Sequence, residues 1–174
     1  MLRDFGTLIA RTTIGLAFAA HGTQKAFGWF GGPGPVGAAG IMESLGFKPG
    51  VRYATLSSYT EIAAGSLIAL GLGGPIGPAA LLGVMLVAML TVHAKNGFFA
   101  QKGGVELGVL YSAAAVAFAM GGYGRVSIDA VLGIDEPFDD GAIAAVALAG
   151  GLLGGGVALL QRETPPAETA PAKT

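Results

Sequence analysis

Five long apolar segments constrain the fold more than any other feature of this sequence. A helix that crosses a membrane needs about 20 mostly apolar residues, and each segment approaches that length. The segments run from about Phe5 to Phe30, Val51 to Leu72, Ile76 to Ala94, Val105 to Met120 and Ala142 to Leu160. Only 12% of the residues are charged, against about 25% in a typical soluble domain, so a polar surface could not cover an apolar core. The sequence therefore predicts an all-α, multi-pass membrane protein whose main partner is the lipid bilayer.

The first segment is similar to a signal peptide in one respect, because the residues AFA at positions 17–19 mimic a cleavage site. Arg11 interrupts the apolar run, however, and the charge of Arg3 before it is cancelled by Asp4. We therefore expect this segment to remain uncleaved as the first transmembrane helix.

Glycine and proline mark the connections between the segments. The stretch GLGGPIGP, residues 71–78, predicts a tight turn that makes the second and third spans an antiparallel hairpin. Residues 31–50 contain a short amphipathic helix that we expect in the plane of the interface. Its apolar side carries Val36, Ile41, Met42 and Leu45. Trp29 and Phe30, just before it, are typical of an interfacial aromatic belt.

The distribution of lysine and arginine predicts the orientation in the membrane. With five spans, the N-terminus shares a side with the loop that carries Arg125, and that side holds few cations. The opposite side carries Lys48, Arg52, Lys95, Lys102, Arg162 and Lys173. Because cytoplasmic loops are rich in Lys and Arg, we expect the C-terminal tail in the cytoplasm and the N-terminus outside.

Charge and composition exclude several functions. The net charge of −1 gives no basis for binding nucleic acid, which requires a basic surface. The sequence contains no cysteine, so disulfides, thiol exchange and thiolate metal sites are excluded. Any redox role must therefore depend on a bound cofactor, a metal or a partner protein.

Ionisable residues within the spans are the main candidates for a functional site, because each costs about 2.5–3.5 kcal/mol to insert. The first span carries Arg11, His21 and Lys25. At 3.6 residues per turn these side chains fall within an arc of about 80°. Glu61 lies deep in the second span and is their natural partner, because a lone buried charge is strongly unfavourable. The simplest arrangement is a four-helix bundle with these groups inside.

Other interpretations of these residues remain open. Lys25 and Arg11 are long enough to reach the headgroups, and His93 at the end of the third span is in place to cap a helix. Glu61 is explained equally by a structural ion pair or by a protonated, hydrogen-bonded acid. No metal is expected, because no H-x-x-x-H or E-x-x-H spacing occurs.

Several separated motifs resemble the DoxX family of small bacterial and archaeal membrane proteins. They are HGTQKAFGWFGGPG from His21, GF at Gly46, Glu61 within the second span, TVHAKNGFF from Thr91 and GGYGRVSID from Gly121. The resemblance covers about residues 5–130 and implies a four-helix transmembrane bundle. It also implies a ligand-binding set of Arg11, His21, Lys25, Glu61, His93, Asn96 and Arg125. The fifth segment lies outside it.

The domain organisation expected from these patterns has four parts. A DoxX-like four-helix membrane domain covers residues 1–130, and an acidic loop covers 131–141. An additional transmembrane helix covers 142–161, and a proline-rich tail expected to be disordered covers 162–174.

The resemblance implies a role in redox or oxidative-stress chemistry at the plasma membrane. Family members include a subunit of an archaeal thiosulfate:quinone oxidoreductase, and others are linked to complexes that handle oxidative and thiol stress. We expect a quinone-like ligand in the polar site, with Glu61 and His21 as a catalytic proton relay and a partner protein as electron donor. One alternative is a non-catalytic anchor for soluble redox enzymes. Another is a small-molecule or proton transporter, for which five spans are few unless the protein forms a homo-oligomer.

Overall fold

The computed structural model describes residues 2–135 and 141–163, and within these ranges the chain forms helices joined by turns. The helices are α1 (Leu2–Phe27), α2 (Gly34–Ser44), α3 (Gly50–Leu70), α4 (Ile76–Ala88), α5 (Glu106–Gly121), α6 (Ile128–Leu132) and α7 (Gly141–Leu160). Helix α4 continues through a π-helical turn, Met89–His93, to a last turn at Ala94–Asn96. The predicted all-α fold is confirmed. Residues 136–140 of the acidic loop and residues 164–174 of the tail lie outside the described residues.

The helices follow the apolar segments of the sequence. By length and composition, two helices of the described ranges are long and apolar enough to cross a membrane: Ile76–Asn96 and Gly141–Leu160. Helix α5 is apolar but shorter. Helices α1 and α3 have 26 and 21 residues, and they are more polar because they carry Arg11, Lys25 and Glu61. Helix α2 coincides with the predicted amphipathic helix, whereas α6 had no counterpart among the predictions.

Helix α3 ends at a glycine-rich stretch that begins with Gly71. Gly71 adopts φ +66°, a left-handed conformation that residues with a Cβ rarely adopt. The amides of Gly71 and Leu72 bond to the carbonyls of Ile68 and Leu67, which closes the last turn. Gly73 and Gly74 also have positive φ, and α4 begins two residues later. The result is the antiparallel hairpin of α3 and α4.

Helices α1 and α3 pack through glycines. A Cβ on Gly15 would lie 2.5 Å from the Gly65 carbonyl oxygen, and a Cβ on Gly22 would lie 2.5 Å from that of Ser58. Small residues allow this close approach, which favours helix association where no hydrophobic effect operates in the bilayer. Beside this contact, the largest buried cluster combines Phe18 of α1 and Ile68 of α3 with side chains from α4 and α5. Its other members are Ala64, Leu81, Ala115, Phe118 and Tyr123.

Helix α7 packs on α4 by the same means. A Cβ on Gly83 would lie 2.5 Å from the Gly151 carbonyl oxygen, and a Cβ on Gly155 would lie 2.7 Å from that of Gly83. Gly151 itself touches the Ala79 carbonyl. The spacing of Gly151 and Gly155 is the small-xxx-small pattern of membrane helix pairs. This contact fixes α7 against the remainder of the fold.

Residues 161–163, after α7, bind residues 45–53, which join α2 to α3 and include the first turn of α3. We call this set of contacts the C-terminal clasp. Arg162 Nε donates to the Leu45 carbonyl over 2.5 Å, and the Glu163 amide donates to the Gly46 carbonyl over 2.8 Å. Lys48 Nζ lies 2.9 Å from Glu163 Oε2, and this hydrogen bond raises the pKa of Lys48. The Tyr53 hydroxyl bonds to Gln161 over 3.0 Å. The clasp thus joins α7 to the start of α3.

Candidate functional site

Lys25 and Glu61 form an ion pair between α1 and α3. Lys25 Nζ lies 2.5 Å from Glu61 Oε1, and the side chains are 30% and 3% exposed. Ser57, one turn before Glu61, donates to the same Oε1 over 3.0 Å and accepts from Lys25 Nζ over 3.3 Å. The ammonium therefore offsets the cost of burying the carboxylate. Two of the residues selected from the sequence are in contact.

The other carboxylate oxygen of Glu61 has no such partner. Oε2 is buried and finds no hydrogen-bond donor among the residues that the structure describes. An ionised carboxylate accepts hydrogen bonds at both oxygens, and a buried polar group left unsatisfied costs about 1–3 kcal/mol. Glu61 lines a cavity, so a bound molecule could supply the missing donor.

The cavity beside the ion pair has a volume of about 490 Å³, which is within the range of small-molecule sites. Most of its lining is aliphatic and comes from α2, α3, α4 and α7. The polar or ionisable side chains that line it are Lys25, Tyr53, Ser57, Thr60, Glu61, Thr91 and His93. An apolar chamber with a few polar groups suits a molecule with an apolar body and a polar end.

The π-helical turn of α4 brings Thr91 and His93 to the cavity wall. Such turns occur frequently at functional sites. The Thr91 hydroxyl donates to the Val87 carbonyl over 2.8 Å, and His93 Nδ1 lies 2.7 Å from the Gly103 carbonyl oxygen. Because a carbonyl only accepts, Nδ1 carries a hydrogen, and Nε2 of the neutral ring is an acceptor. His93 thus combines a structural bond with a free acceptor.

Helix α7 supplies a wall of small residues. Gly151, Gly154, Gly155 and Ala158 all line the cavity. An added Cβ on Gly154 would meet no atom within 4 Å, so this residue leaves open space. Part of the volume therefore exists because α7 has no side chains there.

His21 lies outside the cavity lining. Its side chain is exposed, and Nδ1 is 3.2 Å from the Gln24 side-chain oxygen. The ring makes an edge contact with Tyr111, with centroids 6.5 Å apart. The structure thus does not bring His21 to the Lys25–Glu61 pair.

Arg11 is buried at the opposite end of α3. Its guanidinium donates to the carbonyls of Ala69 and Val126, which ties the C-terminus of α3 to the segment before α6. Asp129, which the sequence analysis did not select, completes this region. Its carboxylate accepts from the amides of Gly73 and Gly74 over 2.9 and 2.8 Å. The bonds of Arg11 and Asp129 therefore connect helix ends.

Asn96 and Arg125 also lie away from the cavity, and both are exposed. The Asn96 amide donates to the Gly103 carbonyl over 3.2 Å, so it shares an acceptor with His93. The Arg125 backbone amide donates to Asp4 Oδ1 over 3.2 Å. In the described part of the chain, no group of three or more acidic or histidine side chains could hold a metal ion.

The sequence analysis missed Thr60 and Thr91 because neutral hydroxyl groups carry little insertion cost. A signal for Thr91 exists in retrospect, since it lies two residues before His93, within the motif from Thr91 to Phe99. Thr60 has no comparable signal.

Helices with exposed apolar surface around a buried ion pair and a cavity define an integral membrane protein. Val146, Leu153 and Val157 of α7 are 73%, 69% and 52% exposed, and contiguous apolar surface of this kind suits lipid. The chain belongs to the DoxX family, whose sequence profile matches residues 6–94, about half of the chain. No curated protein and no solved structure matches it. The match covers α1 to α4, whereas α7 lies beyond it.

Proposed function

We propose that this protein is a membrane subunit that holds a quinone-like molecule in the cavity beside Lys25 and Glu61, in the service of redox chemistry. The observation that carries the proposal is the Lys25–Glu61 ion pair on the wall of a mostly aliphatic cavity. A quinone has a flat apolar body and polar oxygens at two ends, which matches this combination. When bound, it would supply two-electron redox chemistry that the side chains do not provide.

Three residues have defined roles in this proposal. Lys25 pairs with Glu61 and orients it, and Glu61 offers Oε2 to hold or accept a proton. His93 presents a second polar group from the π-helical turn. Because the sequence contains no cysteine, we propose that a partner protein supplies the electrons.

The proposed placement is the plasma membrane, crossed by a four-helix bundle of α1, α3, α4 and α5 with α7 as a fifth crossing. The shared cluster of Phe18, Ile68, Leu81 and Phe118 supports this arrangement, because each of these residues comes from a different one of the four helices. The exposed apolar side of α7 supports a fifth crossing.

The test uses glycines of α7 to fill the cavity without disturbing the fold. Purified protein in detergent is heated with and without short-chain ubiquinone and menaquinone analogues. We expect these analogues to raise the melting temperature of the wild type, because a ligand that binds only the folded state stabilises it. Gly154→Leu places a side chain in the open space of the cavity and should abolish this increase.

The matched control is Gly150→Leu. Gly150 also has no atom within 4 Å of an added Cβ, but it is not one of the residues that line the cavity. This variant should respond to the analogues as the wild type does. If the analogues leave the melting curves of the wild type and both variants unchanged, a non-catalytic anchor held together by the ion pair becomes the better explanation.

A further inference from the structure

The polar groups around the cavity are mainly hydrogen-bond acceptors. Glu61 Oε2 is an acceptor without a donor among the described residues. Its side chain is 97% buried, because 3% of it is exposed, so bulk water does not satisfy it. Any molecule that fills this position is favoured if it brings a hydrogen-bond donor.

Thr91 and His93 present acceptors as well. The Thr91 hydrogen is already directed to the Val87 carbonyl, so only the lone pairs of its oxygen remain available. The Nδ1 hydrogen of His93 is directed to Gly103, so Nε2 of the neutral ring accepts. The internal bonds of the protein therefore use up the donors of both residues.

Lys25 and Ser57 add few donors. Two of the three ammonium hydrogens of Lys25 are directed to Glu61 Oε1 and to Ser57, which leaves one. The Ser57 hydrogen is bound to Glu61, and the Thr60 hydroxyl can take either role. Acceptors thus outnumber donors on the cavity wall.

From this imbalance we infer that the cavity selects the reduced, hydroxyl-bearing form of its ligand, a quinol, over the oxidised quinone. This inference rests on the proposed function and names the redox form of its ligand. A quinol hydroxyl donates to Glu61 Oε2 and satisfies it. A quinone carbonyl only accepts, so it leaves Oε2 unsatisfied and adds a second acceptor next to it.

The first test compares the two redox forms on the wild-type protein. Binding of short-chain ubiquinol and ubiquinone is measured without oxygen by calorimetry on the full chain in detergent. We expect ubiquinol to bind at least tenfold more tightly, because hydrogen bonds to charged acceptors are among the stronger ones. For a two-electron couple a tenfold preference raises the midpoint potential of the bound pair by about 30 mV, which redox titration would detect.

The second test changes the acceptor into a donor. In Glu61→Gln the amide oxygen can keep the contact with Lys25, and the NH₂ group then replaces Oε2. The preference should fall and reverse toward ubiquinone. The control is Ser58→Ala, because the Ser58 hydroxyl bonds to the Ala54 carbonyl over 2.6 Å and does not line the cavity. This variant should keep the preference for ubiquinol.

The outcomes separate this inference from the proposed function. Equal binding of both forms, or tighter binding of ubiquinone to the wild type, overturns the inference and leaves the proposed function standing. Binding of neither form overturns both. If Glu61→Gln does not fold, the wild-type comparison still decides, and Thr91→Val should reduce the preference for ubiquinol by removing an acceptor.

Discussion

The buried side chain of Glu61 is held in place by contacts with Lys25 and Ser57. Lys25 lies near the end of α1, and its partly exposed stem leads the ammonium inward to the carboxylate. The alternative in which Lys25 extends to the headgroups does not describe this arrangement. The cost of a charged residue in an apolar segment was thus a useful guide to both members of the pair.

Removing the ammonium should leave a buried charge without a partner. We expect Lys25→Met to lower the free energy of unfolding by about 3 kcal/mol, the lower end for a broken buried pair, because Lys25 is 30% exposed. The measurement is chemical denaturation in detergent. Lys95→Met is the control, since Lys95 is exposed in the last turn after α4. Equal stability of both variants would show that the ion pair does not stabilise the fold.

For His21, the pattern of charges along α1 was a poor guide to the face of the helix that packs against α3. The buried residues of α1 are Arg11, Gly15, Phe18 and Gly22, so the face toward α3 is set by glycines that allow backbone contact. At 3.6 residues per turn, His21 lies about 100° from Gly22 and therefore outside that face. The predicted inner face of α1 was centred on the arc of charged residues, whereas the close approach of Gly15 and Gly22 to α3 determines the interface.

Asp129 is a buried residue whose role no pattern in the sequence indicates. Its carboxylate binds amides of the turn at Gly73 and Gly74, more than 50 residues earlier in the chain. Only the tertiary fold brings these groups together, and no local pattern marks them. The acceptors of Arg11 were equally unmarked, although Arg11 itself was selected, because they belong to α3 and to the segment before α6.

At the scale of helices, the role of α7 depends on what each of its glycines contacts. The sequence places Gly150, Gly151, Gly154, Gly155 and Gly156 close together, and this density offers a contact on almost any side. Only the packed structure shows that Gly151 touches α4, that Gly154 faces the cavity and that Gly150 is free of contacts at its Cβ. The structure contains a helix at the predicted position, but the sequence does not indicate that this helix lines the cavity.

These glycines predict different effects of the same substitution. Gly151→Leu should lower stability by about 1–3 kcal/mol, the usual cost of overpacking, because its Cβ would collide with the Ala79 carbonyl. Gly150→Leu should leave stability unchanged. Thermal melting without added ligand measures both. A stable Gly151→Leu protein would contradict the packing of α7 on α4.

The whole molecule has two polar ends separated by the length of α3. At one end Arg125 binds Asp4, and Arg11 binds the end of α3. At the other end the C-terminal clasp joins residues 161–163 to the start of α3. The loops that the sequence analysis assigned to one side of the membrane are therefore found at one end of the structure.

Orientation can be tested because the sequence contains no cysteine. Arg125→Cys and Lys102→Cys each introduce a single exposed thiol at opposite ends. Since the cation-rich side is expected in the cytoplasm, a membrane-impermeant maleimide should label Arg125→Cys in intact cells. Lys102→Cys should be labelled only after permeabilisation. The reverse pattern would invert the orientation, and labelling of both in intact cells would exclude a membrane between them.

The contact between Asp4 and Arg125 at one end, and the clasp at the other, have a consequence for assembly. If the bilayer separates them, a water-soluble enzyme that docks near Asp4 and another that docks near Glu163 work in different compartments. Neither can hand a product directly to the other. A reactant or signal that passes between them by way of this protein must cross its interior, where the Lys25–Glu61 pair lies.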